Sequence, residues 1–401
     1  MNTYARFPLT LVRGKGARVW DDQGQAYLDF ISGIAVNTLG HAHPKMTEAL
    51  TEQAATMLHC SNLFHIPKQQ QLAELLTRLS GLDAVFFCNS GAEANEGAIK
   101  LARKYFHDRG LPGRTIITAT QSFHGRLLAT LSATGQDKVK TGFDPLPTGF
   151  AHVPLNDMAA LKQTVNDDTA AILLEPLQGE GGVNIAQIDY LQAVRQLCDE
   201  RGLLLILDEV QTGIGRCGTM FAFEQADIVP DILTLAKGLG GGVAIGAMLA
   251  TKRVATSFGQ GTHGSTFGGN PLACTAALTV LDVIESEQLL ANVQQRGEQL
   301  QRGLQALADR HPVIRDVRGQ GLLIGAELSI DAAPLIAAAR AHGLLILMAG
   351  PHVLRFLPPL NITADEVETA LAIVDTILKN RTLENGTSRA GALGNGTGEG
   401  T

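Results

Sequence analysis

The 401-residue chain has no long apolar run and no cluster of basic residues. No stretch reaches the roughly 18 uncharged apolar residues that a membrane-spanning helix needs, and the opening MNTYARFPLT lacks the apolar segment of a signal peptide. With a net charge of −7 and no Lys/Arg-rich run, the chain is poorly suited to nucleic acid or anionic membrane surfaces. We therefore expect a cytoplasmic protein that binds neither.

Cysteine is scarce, and its spacing matches neither CxxC pairs nor zinc sites, so reduced thiols are expected at Cys60, Cys88, Cys198, Cys217 and Cys274. The two histidines of GHAHP, His41 and His43, have no third ligand at a usable spacing. A role in a turn is favoured there over a metal site, and we expect no bound metal. Glycine is abundant, with 44 residues, and it clusters after apolar runs, where backbone could cradle a ligand.

Short β-type apolar runs recur along the chain, separated by helical patterns. Nearly continuous hydrophobicity is typical of strands buried on both faces, so the runs predict an α/β fold with a mostly parallel sheet. The six predicted strands span 84–89, 114–120, 170–176, 203–209, 231–237 and 244–250. From Pro271 a long helical pattern runs to about Arg310 and leads into a second, smaller α/β unit, whose last helix opens with a capping box of Thr363 and Glu366.

Two polar residues end predicted strands in a way that suggests chemistry. Lys237 ends DILTLAK and precedes GLGGG, so partial desolvation would lower the pKa of its amine and leave it able to form a Schiff base. A lysine of this kind, taken alone, is more often a solvated loop residue. Asp208 ends the apolar run of LLLILDEVQ, and a carboxylate beside such an amine suits a pyridinium cofactor with an aldehyde. Pyridoxal phosphate is therefore the leading hypothesis.

Two glycine-rich segments are suited to an anion. Ser90, Gly91 and Ala92 follow one predicted strand and open a helical pattern, where free backbone N–H groups favour a phosphate. A plain serine N-cap would explain them equally well. GTHGSTFGGNP offers the hydroxyls of Ser265 and Thr266 on a flexible loop, with a hairpin-like turn as the alternative.

Four more residues lie near predicted strands. TQSFHGR places Phe123 and Arg126 on one crevice edge. There Phe123 could stack on a cofactor ring and Arg126 could hold a carboxylate. The alternative is an ordinary phenylalanine at the edge of the core and a solvated arginine. Glu180 lies in a glycine turn and Arg355 in an apolar strand. A buried arginine needs a partner, so a Glu180–Arg355 pair is plausible, while Arg355 pointing to water is equally open. Ligands of open α/β sheets bind at the carboxyl ends of strands, which indicates one shared site.

With these motifs in place, the chain resembles the class III aminotransferases of the fold type I pyridoxal-phosphate superfamily from about residue 8 to 379. The matching strings are GIAVNTLGHAHP, NSGAEANEGAIKLAR, SFHGR, EPLQGEGGV, LDEVQTGIGR, LTLAKGLGGG, HGSTFGGNPLA, RGQGLLIGAEL and LRFLPP. The resemblance implies a large domain with a mostly parallel sheet and a smaller α/β C-terminal domain. We expect an N-terminal segment packing with the small domain at 1–48, the large pyridoxal-phosphate-binding domain at 49–295, the small domain at 296–380 and a disordered tail at 381–401.

The resemblance also implies the roles of site residues. Lys237 would be the Schiff-base lysine, Asp208 the partner of the ring nitrogen, and Gln211 a neighbour of the phenolic oxygen. Thr266 would reach the phosphate in the neighbouring subunit, which implies a homodimer with shared active sites. The full set of cofactor-binding residues implied in this way is Ser90, Gly91, Ala92, Phe123, Asp208, Glu209, Val210, Gln211, Lys237 and Thr266.

Within the family the motif sequences are most similar to those of the acetylornithine type. This similarity implies transamination of N2-acetyl-L-ornithine with 2-oxoglutarate to N-acetyl-L-glutamate 5-semialdehyde and L-glutamate, a step of arginine biosynthesis. Arg126 and Ser265 would contact the acylated substrate. Glu180 would neutralise Arg355 for that substrate and yield it to the α-carboxylate of glutamate. Ornithine-specific relatives have tyrosine where this chain has Gly33. Alternatives are a succinylornithine or other ω-amino acid transaminase, a class III aminomutase, and a nicotinamide-dependent oxidoreductase suggested by weak GxGxxG-like patterns.

Overall fold

The fold opens with a small antiparallel meander. A computed structural model describes residues 1–393, with side chains as far as Asn380. Strands β1 (Leu11–Lys15), β2 (Arg18–Asp21) and β3 (Ala26–Asp29) pair in sequence order. Three helices follow: α1 (Ser32–Ala35), α2 (Pro44–Thr56) and α3 (Pro67–Ser80). The last two start at proline, whose fixed φ and missing N–H suit the first turn.

The core is a seven-stranded sheet. Its strands are β4 (Ala84–Cys88), β5 (Thr115–Ala119), β6 (Phe150–Val153), β7 (Thr169–Leu174), β10 (Leu204–Asp208), β11 (Ile232–Leu235) and β12 (Gly246–Ala250), while β8 (Leu177–Gln178) and β9 (Asn184–Ile185) form a separate hairpin.

The strand order in the large sheet is β4-β12-β11-β10-β7-β5-β6. Every residue of β7, β10, β11 and β12 is buried, which is why these strands read as unbroken apolar runs. Neighbouring strands pair in parallel from β11 through β10, β7 and β5 to β6, and β12 runs antiparallel to both of its neighbours. The predicted α/β fold with a mostly parallel sheet is confirmed.

Helices connect these strands and cover the sheet. They are α4 (Gly91–Asp108), α5 (Leu128–Ala133), α6 (Met158–Thr164), α7 (Ile188–Arg201) and α8 (Lys252–Ala255). Next come α9 (Pro271–Ser286) and α10 (Leu289–Arg310). The sequence predicted one long helical pattern here, but Gln288 has a φ of 52°, in the left-handed region that interrupts a right-handed helix.

A second unit follows α10. Its elements are β13 (Ile314–Gln320), β14 (Leu323–Leu328), α11 (Ala333–Ala341), β15 (Leu344–Leu345), β16 (Leu347–Ala349), β17 (Val353–Phe356) and α12 (Ala364–Leu393). Four of the strands form a sheet of order β13-β14-β17-β16 with antiparallel pairing throughout. The capping box predicted before the last helix is confirmed, because Thr363 N donates to Glu366 Oε2 at 3.0 Å and Glu366 N to Thr363 Oγ1 at 3.3 Å.

The N-terminal meander joins this C-terminal unit, since β15 pairs in parallel with β3. The domain boundaries stay predictions, and the one at 295/296 falls inside α10. α12 extends to Leu393; residues 394–401 of the predicted tail lie outside the described residues, and the tail itself stays a prediction. In the part of the chain described, no helix combines the length and apolarity needed to cross a membrane.

Candidate active site

A cavity of about 450 Å³ opens at the carboxyl ends of the large sheet's strands. The segments that follow β4, β5, β7, β10 and β11 all reach it, as expected for ligand binding in an open α/β sheet. Its walls therefore bring together side chains that are far apart in sequence, among them Phe123, Asp208 and Lys237.

Lys237 lines this cavity and lies two residues after the end of β11. Its φ of 42° is in the left-handed region, which a non-glycine residue enters only where the surrounding structure enforces it. The next residue, Gly238, is held by Thr38, whose hydroxyl donates to the Gly238 carbonyl at 2.9 Å. Burial lowers the pKa of the Lys237 amine below its ordinary value, against the opposing negative charge of Glu180. The amine is thus predisposed to react as a free base.

Asp208, at the end of β10, is buried and accepts three hydrogen bonds. Its Oδ2 accepts from Asn95 Nδ2 at 2.7 Å and lies 2.8 Å from His124 Nδ1, while Oδ1 accepts from Val210 N at 3.0 Å. Thr234 on β11 donates to Asn95 Oδ1 at 2.7 Å and orients the amide. Since an ionised carboxylate can only accept, Nδ1 is the ring nitrogen of His124 that can donate to Asp208. This network fixes a carboxylate at the cavity wall without a lysine or arginine partner in the described structure.

Asn95 and His124 were not predicted as site residues. A signal for Asn95 was present in the sequence, because this amide lies in helix α4 among the buried residues Ala94 and Ala98. A polar side chain on an apolar helix stripe needs a partner, and Asp208 is that partner. His124 lies in SFHGR beside the predicted Phe123, but nothing in this motif indicates that the histidine faces a strand-end carboxylate.

A second buried carboxylate, Glu175, also escaped prediction. It follows β7, lines the cavity, and accepts a hydrogen bond from Phe123 N at 3.0 Å. Burial raises the pKa of Glu175 well above its ordinary value, and the nearby charge of Asp208 adds to the effect. The sequence signal was an acid directly after a fully apolar strand.

Glu180 and Arg355 form the pair that the sequence left open. Arg355 on β17 is 2% exposed, so it does not point to water. Its Nη1 donates to Glu180 Oε1 at 2.8 Å and to the Gly179 carbonyl at 2.6 Å, and its Nη2 lies 3.4 Å from Glu180 Oε2. Burial alone would raise the pKa of Glu180, but the Arg355 guanidinium outweighs it and holds the pKa below its usual value. Glu180, the exposed member of this pair, lines the cavity together with Lys237.

Phe123 and Arg126 lie on the cavity wall, as the sequence predicted for one crevice edge. The Arg126 guanidinium carbon is 5.6 Å from the centre of the Phe123 ring. A neighbouring cavity of about 370 Å³ shares Phe123, Arg126 and Glu180 with the first and extends to Lys138 and Met348. The site therefore continues outward past two positively charged side chains.

The Ser90–Ala92 turn also lines the cavity. Ser90 is the N-cap of α4, and its Oγ accepts from Glu93 N at 3.2 Å. The N-cap alternative is thus realised. A Cβ added to Gly91 would come within 2.6 Å of Val210 Cγ1, so the close approach of these two segments requires glycine. The N-terminus of the 18-residue helix α4 therefore lies at the cavity, with its first backbone N–H groups not bonded within the helix.

Comparison with known proteins decides the family. The class III aminotransferase family model matches residues 1–378. The chain belongs to the class III aminotransferase family. It is 56% identical to the acetylornithine aminotransferase of Halalkalibacterium halodurans, over 94% of this chain and 97% of that protein.

Solved structures of this family superimpose well on the fold. The N-acetylornithine aminotransferase of Stenotrophomonas maltophilia has a TM-score of 0.84 at 42% identity, with 96% of this chain and 99% of that chain covered. An ornithine aminotransferase from Toxoplasma gondii, in a structure with partial occupancy of PLP at the active site, has a TM-score of 0.90 at 34% identity, covering 93% of this chain and 91% of that chain. The protein is a pyridoxal-phosphate-dependent aminotransferase, which rules out the oxidoreductase alternative.

The cavity fits this cofactor. Two polar atoms of its lining residues, Gln211 Oε1 and His124 Nε2, are buried without a hydrogen-bond partner within the described residues. Such atoms are costly unless a ligand satisfies them, so the cavity is built for a polar guest. An amine, an acceptor carboxylate, an aromatic face and a helix N-terminus, at Lys237, Asp208, Phe123 and Ser90, are the groups that an aldehyde-bearing pyridine phosphate needs.

The structure does not bring every predicted residue to the cavity. Glu209 turns away from it, and its buried carboxylate accepts from Ala222 N at 2.7 Å and Phe223 N at 2.8 Å. The side chain of Glu209 is thus a structural anchor for the loop after β10, since strand alternation points it opposite to Asp208. Ser265 and Thr266 also lie outside this cavity: Ser265 Oγ accepts from Asn89 Nδ2 at 3.2 Å, and Thr266 is exposed.

The two histidines considered for a metal are paired with acids. His41 Nε2 lies 2.8 Å from Asp29 Oδ2, and His43 Nε2 lies 3.3 Å from Glu287 Oε1. Among the residues for which side chains are described, no group of three or more His, Cys, Asp and Glu side chains is arranged to hold a metal ion.

Proposed function

We propose that the protein transfers the δ-amino group of N2-acetyl-L-ornithine to 2-oxoglutarate and forms N-acetyl-L-glutamate 5-semialdehyde and L-glutamate, as in arginine biosynthesis. The observation that carries the proposal is that Glu180, which pairs with Arg355, lines one cavity with Lys237 and Asp208. The reaction needs a site that accepts an ω-amine in one half and an α-amino acid in the other, and an arginine with a removable counter-charge can serve both. The full-length similarity to acetylornithine aminotransferases supports this substrate.

The cofactor chemistry depends on four groups of this chain. Bound pyridoxal phosphate supplies an aldehyde for the amino group and a ring that withdraws electrons from the reacting carbon. As a free amine, Lys237 would act as the base that accepts and donates the proton of the carbon bearing the amino group. Asp208 would hold the ring nitrogen and keep it protonated, Phe123 would cover a ring face, and the N–H groups at the start of α4 would hold the phosphate.

Substrate selection rests on the outer side chains. With acetylornithine, Glu180 stays on Arg355 and cancels its charge, so the δ-ammonium can approach, while Arg126 holds the α-carboxylate. With glutamate, Glu180 leaves Arg355 free to pair with the α-carboxylate. The second cavity, bounded by Arg126 and Lys138, gives the acyl end of the donor room outside the reacting centre.

The amino donor is tested by assaying acetylornithine, succinylornithine and ornithine separately with 2-oxoglutarate. We expect the highest kcat/KM with acetylornithine. A higher value with succinylornithine would make that acyl group the natural one, and turnover without 2-oxoglutarate would reveal an aminomutase instead.

We further propose a homodimer in which Thr266 completes the partner's site. Exposed apolar side chains cluster where the segment near Asn62 meets the Thr266 loop: Leu63 is 88% exposed, Phe64 68% and Phe267 60%. Asn62 joins the two segments by donating to the Gly268 carbonyl at 3.0 Å. Contiguous apolar surface of this kind is typical of an interface.

A cytoplasmic location is also proposed, since all five cysteines are free.

Subunit complementation tests the shared site. Lys237→Ala and Thr266→Arg should each be inactive as homodimers. A hybrid dimer has one site built from the intact Lys237 of one subunit and the intact Thr266 of the other, so refolding the two variants together should restore activity. No recovery, with light scattering showing dimers, would contradict a shared site.

A further inference from the structure

The loop that carries Glu180 is held by two arginines of the second sheet. This loop, residues 179–183, connects β8 and β9. At its start, Arg355 binds the Gly179 carbonyl and the Glu180 carboxylate. At its end, Arg318 Nη2 donates to the Gly182 carbonyl at 2.7 Å, and Arg318 Nε lies 3.1 Å from the carbonyl oxygens of Gly182 and Val183.

The two arginines stand in one row of the sheet. Arg318 on β13 is directly opposite Gly325 on β14, and Gly325 is directly opposite Arg355 on β17. Opposed residues of antiparallel strands project to the same face, so both guanidinium groups face the loop. Gly325 leaves a gap between them, because a Cβ there would come within 2.9 Å of Val183 Cβ. Val183 packs into that gap.

The loop backbone is strained where Arg318 holds it. Val183 has a φ of 57°, a left-handed conformation that is a genuine outlier for a β-branched residue. Strain of this kind persists only where surrounding contacts enforce it. Described contacts that do so include the Arg318 hydrogen bonds, the packing of Val183 on Gly325 and the hydrogen bond from Asn184 Nδ2 to the Gly181 carbonyl at 3.1 Å.

Arg318 itself is fixed by two acids of its own sheet. Its Nη1 donates to Asp316 Oδ2 at 2.8 Å and also to Glu327 Oε2. The guanidinium thus has one edge bound to carboxylates and the other to loop carbonyls, a use of its planar fork that lysine cannot reproduce.

We propose that Arg318 is a positioning residue that holds the 179–183 loop in place, so that Glu180 alone swings on and off Arg355 and sets which substrate Arg355 accepts. The inference rests on the proposed Glu180–Arg355 switch. Glu180 is the partner able to move, since its side chain is 31% exposed whereas Arg355 is 2% exposed. When Glu180 moves off and Arg355 pairs with a substrate carboxylate, the Arg318 contacts keep the loop from leaving with Glu180.

The test is the ratio of the two half-reactions in Arg318→Gln. Single-turnover rates are measured on the cofactor-loaded enzyme with acetylornithine and with glutamate. A loosened loop places Glu180 on Arg355 less often, so the acetylornithine rate should fall about tenfold relative to the glutamate rate, equal to about 1.4 kcal/mol. Arg318→Lys should fall in between. Arg315→Gln, an exposed site on the same strand, is the matched control and should keep the wild-type ratio.

A double-mutant cycle with Glu180→Ala separates positioning from general destabilisation. If Arg318 acts through Glu180, adding Arg318→Gln to Glu180→Ala leaves the ratio of the single Glu180 variant unchanged. Equal slowing of both half-reactions by Arg318→Gln, or a further ratio change in the double variant, overturns the positioning role. If Glu180→Ala itself does not change the ratio, the switch fails, and that result is distinct from a failure of Arg318 alone. Thermal unfolding and cofactor content show that each variant is folded.

Discussion

Replacing Glu180 by alanine should affect the two half-reactions in opposite directions. In Glu180→Ala, Arg355 keeps its charge but retains only the Gly179 carbonyl from its present loop contacts. An ω-ammonium substrate then meets an uncompensated cation, while an α-carboxylate meets a ready partner. The acetylornithine half-reaction should therefore slow, and the glutamate half-reaction should hold or quicken.

The magnitude follows from how far the pair is buried. Removing one partner of a fully buried ion pair costs about 3–5 kcal/mol. Glu180 is 31% exposed, so water screens part of the interaction. We expect a change of about 1.4–2.7 kcal/mol in relative transition-state stability, which is about a 10- to 100-fold change in the ratio of the two rates.

Stopped-flow absorbance of the bound cofactor gives each half-reaction separately. Glu180→Gln, which keeps the side-chain size but removes the charge, should shift the ratio in the same direction as alanine. Arg355→Ala should shift it the other way and slow glutamate and 2-oxoglutarate most. If the Glu180 and Arg355 variants slow both halves equally, the pair is a structural ion pair and the switch is wrong.

Three further predictions concern the reacting centre. Lys237→Ala should abolish turnover with little change in Tm, and borohydride reduction of the wild type followed by peptide mapping should find the cofactor on Lys237; a label on another lysine would refute the assignment. Because burial lowers the pKa of Lys237, the rate of cofactor rebinding to apoprotein should rise with pH through a midpoint below the ordinary lysine value of 10.5, and a midpoint at or above that value contradicts it. Asp208→Asn should cost at least about a hundredfold in turnover, whereas Glu175→Gln should cost less than about tenfold, and steady-state kcat decides both.

The sequence predicted the large sheet well because its strands are buried on both faces. β10 and β11 are buried at every residue, and such strands read as apolar runs whose ends can be located. β6 was missed because it is an edge strand of four residues that includes the exposed His152. The meander β1–β3 was missed for a similar reason, since β1 is almost wholly exposed and has no apolar face to detect.

Site residues were predictable only where the adjacent sequence makes them recognisable. Lys237 and Asp208 are charged residues at the ends of apolar runs, so their position in the sequence identifies them as candidates. Arg355 remained ambiguous because its partner lies 175 residues away, and one-dimensional alternation cannot show which face of β17 is covered. Glu209, which follows Asp208 in the sequence, was predicted to bind the cofactor. Alternation along the strand directs the two side chains to opposite sides, so Asp208 faces the cavity and Glu209 does not.

The two carboxylates at the cavity wall have different surroundings. Asp208 accepts from Asn95, His124 and the Val210 N–H. For Glu175 the described hydrogen bond is one, from Phe123 N, and both burial and the charge of Asp208 raise its pKa. Acids whose surroundings differ in this way can take different roles. Asp208, held by three donors, is therefore the carboxylate suited to partner a pyridine nitrogen, which is why its replacement should cost more turnover than the replacement of Glu175.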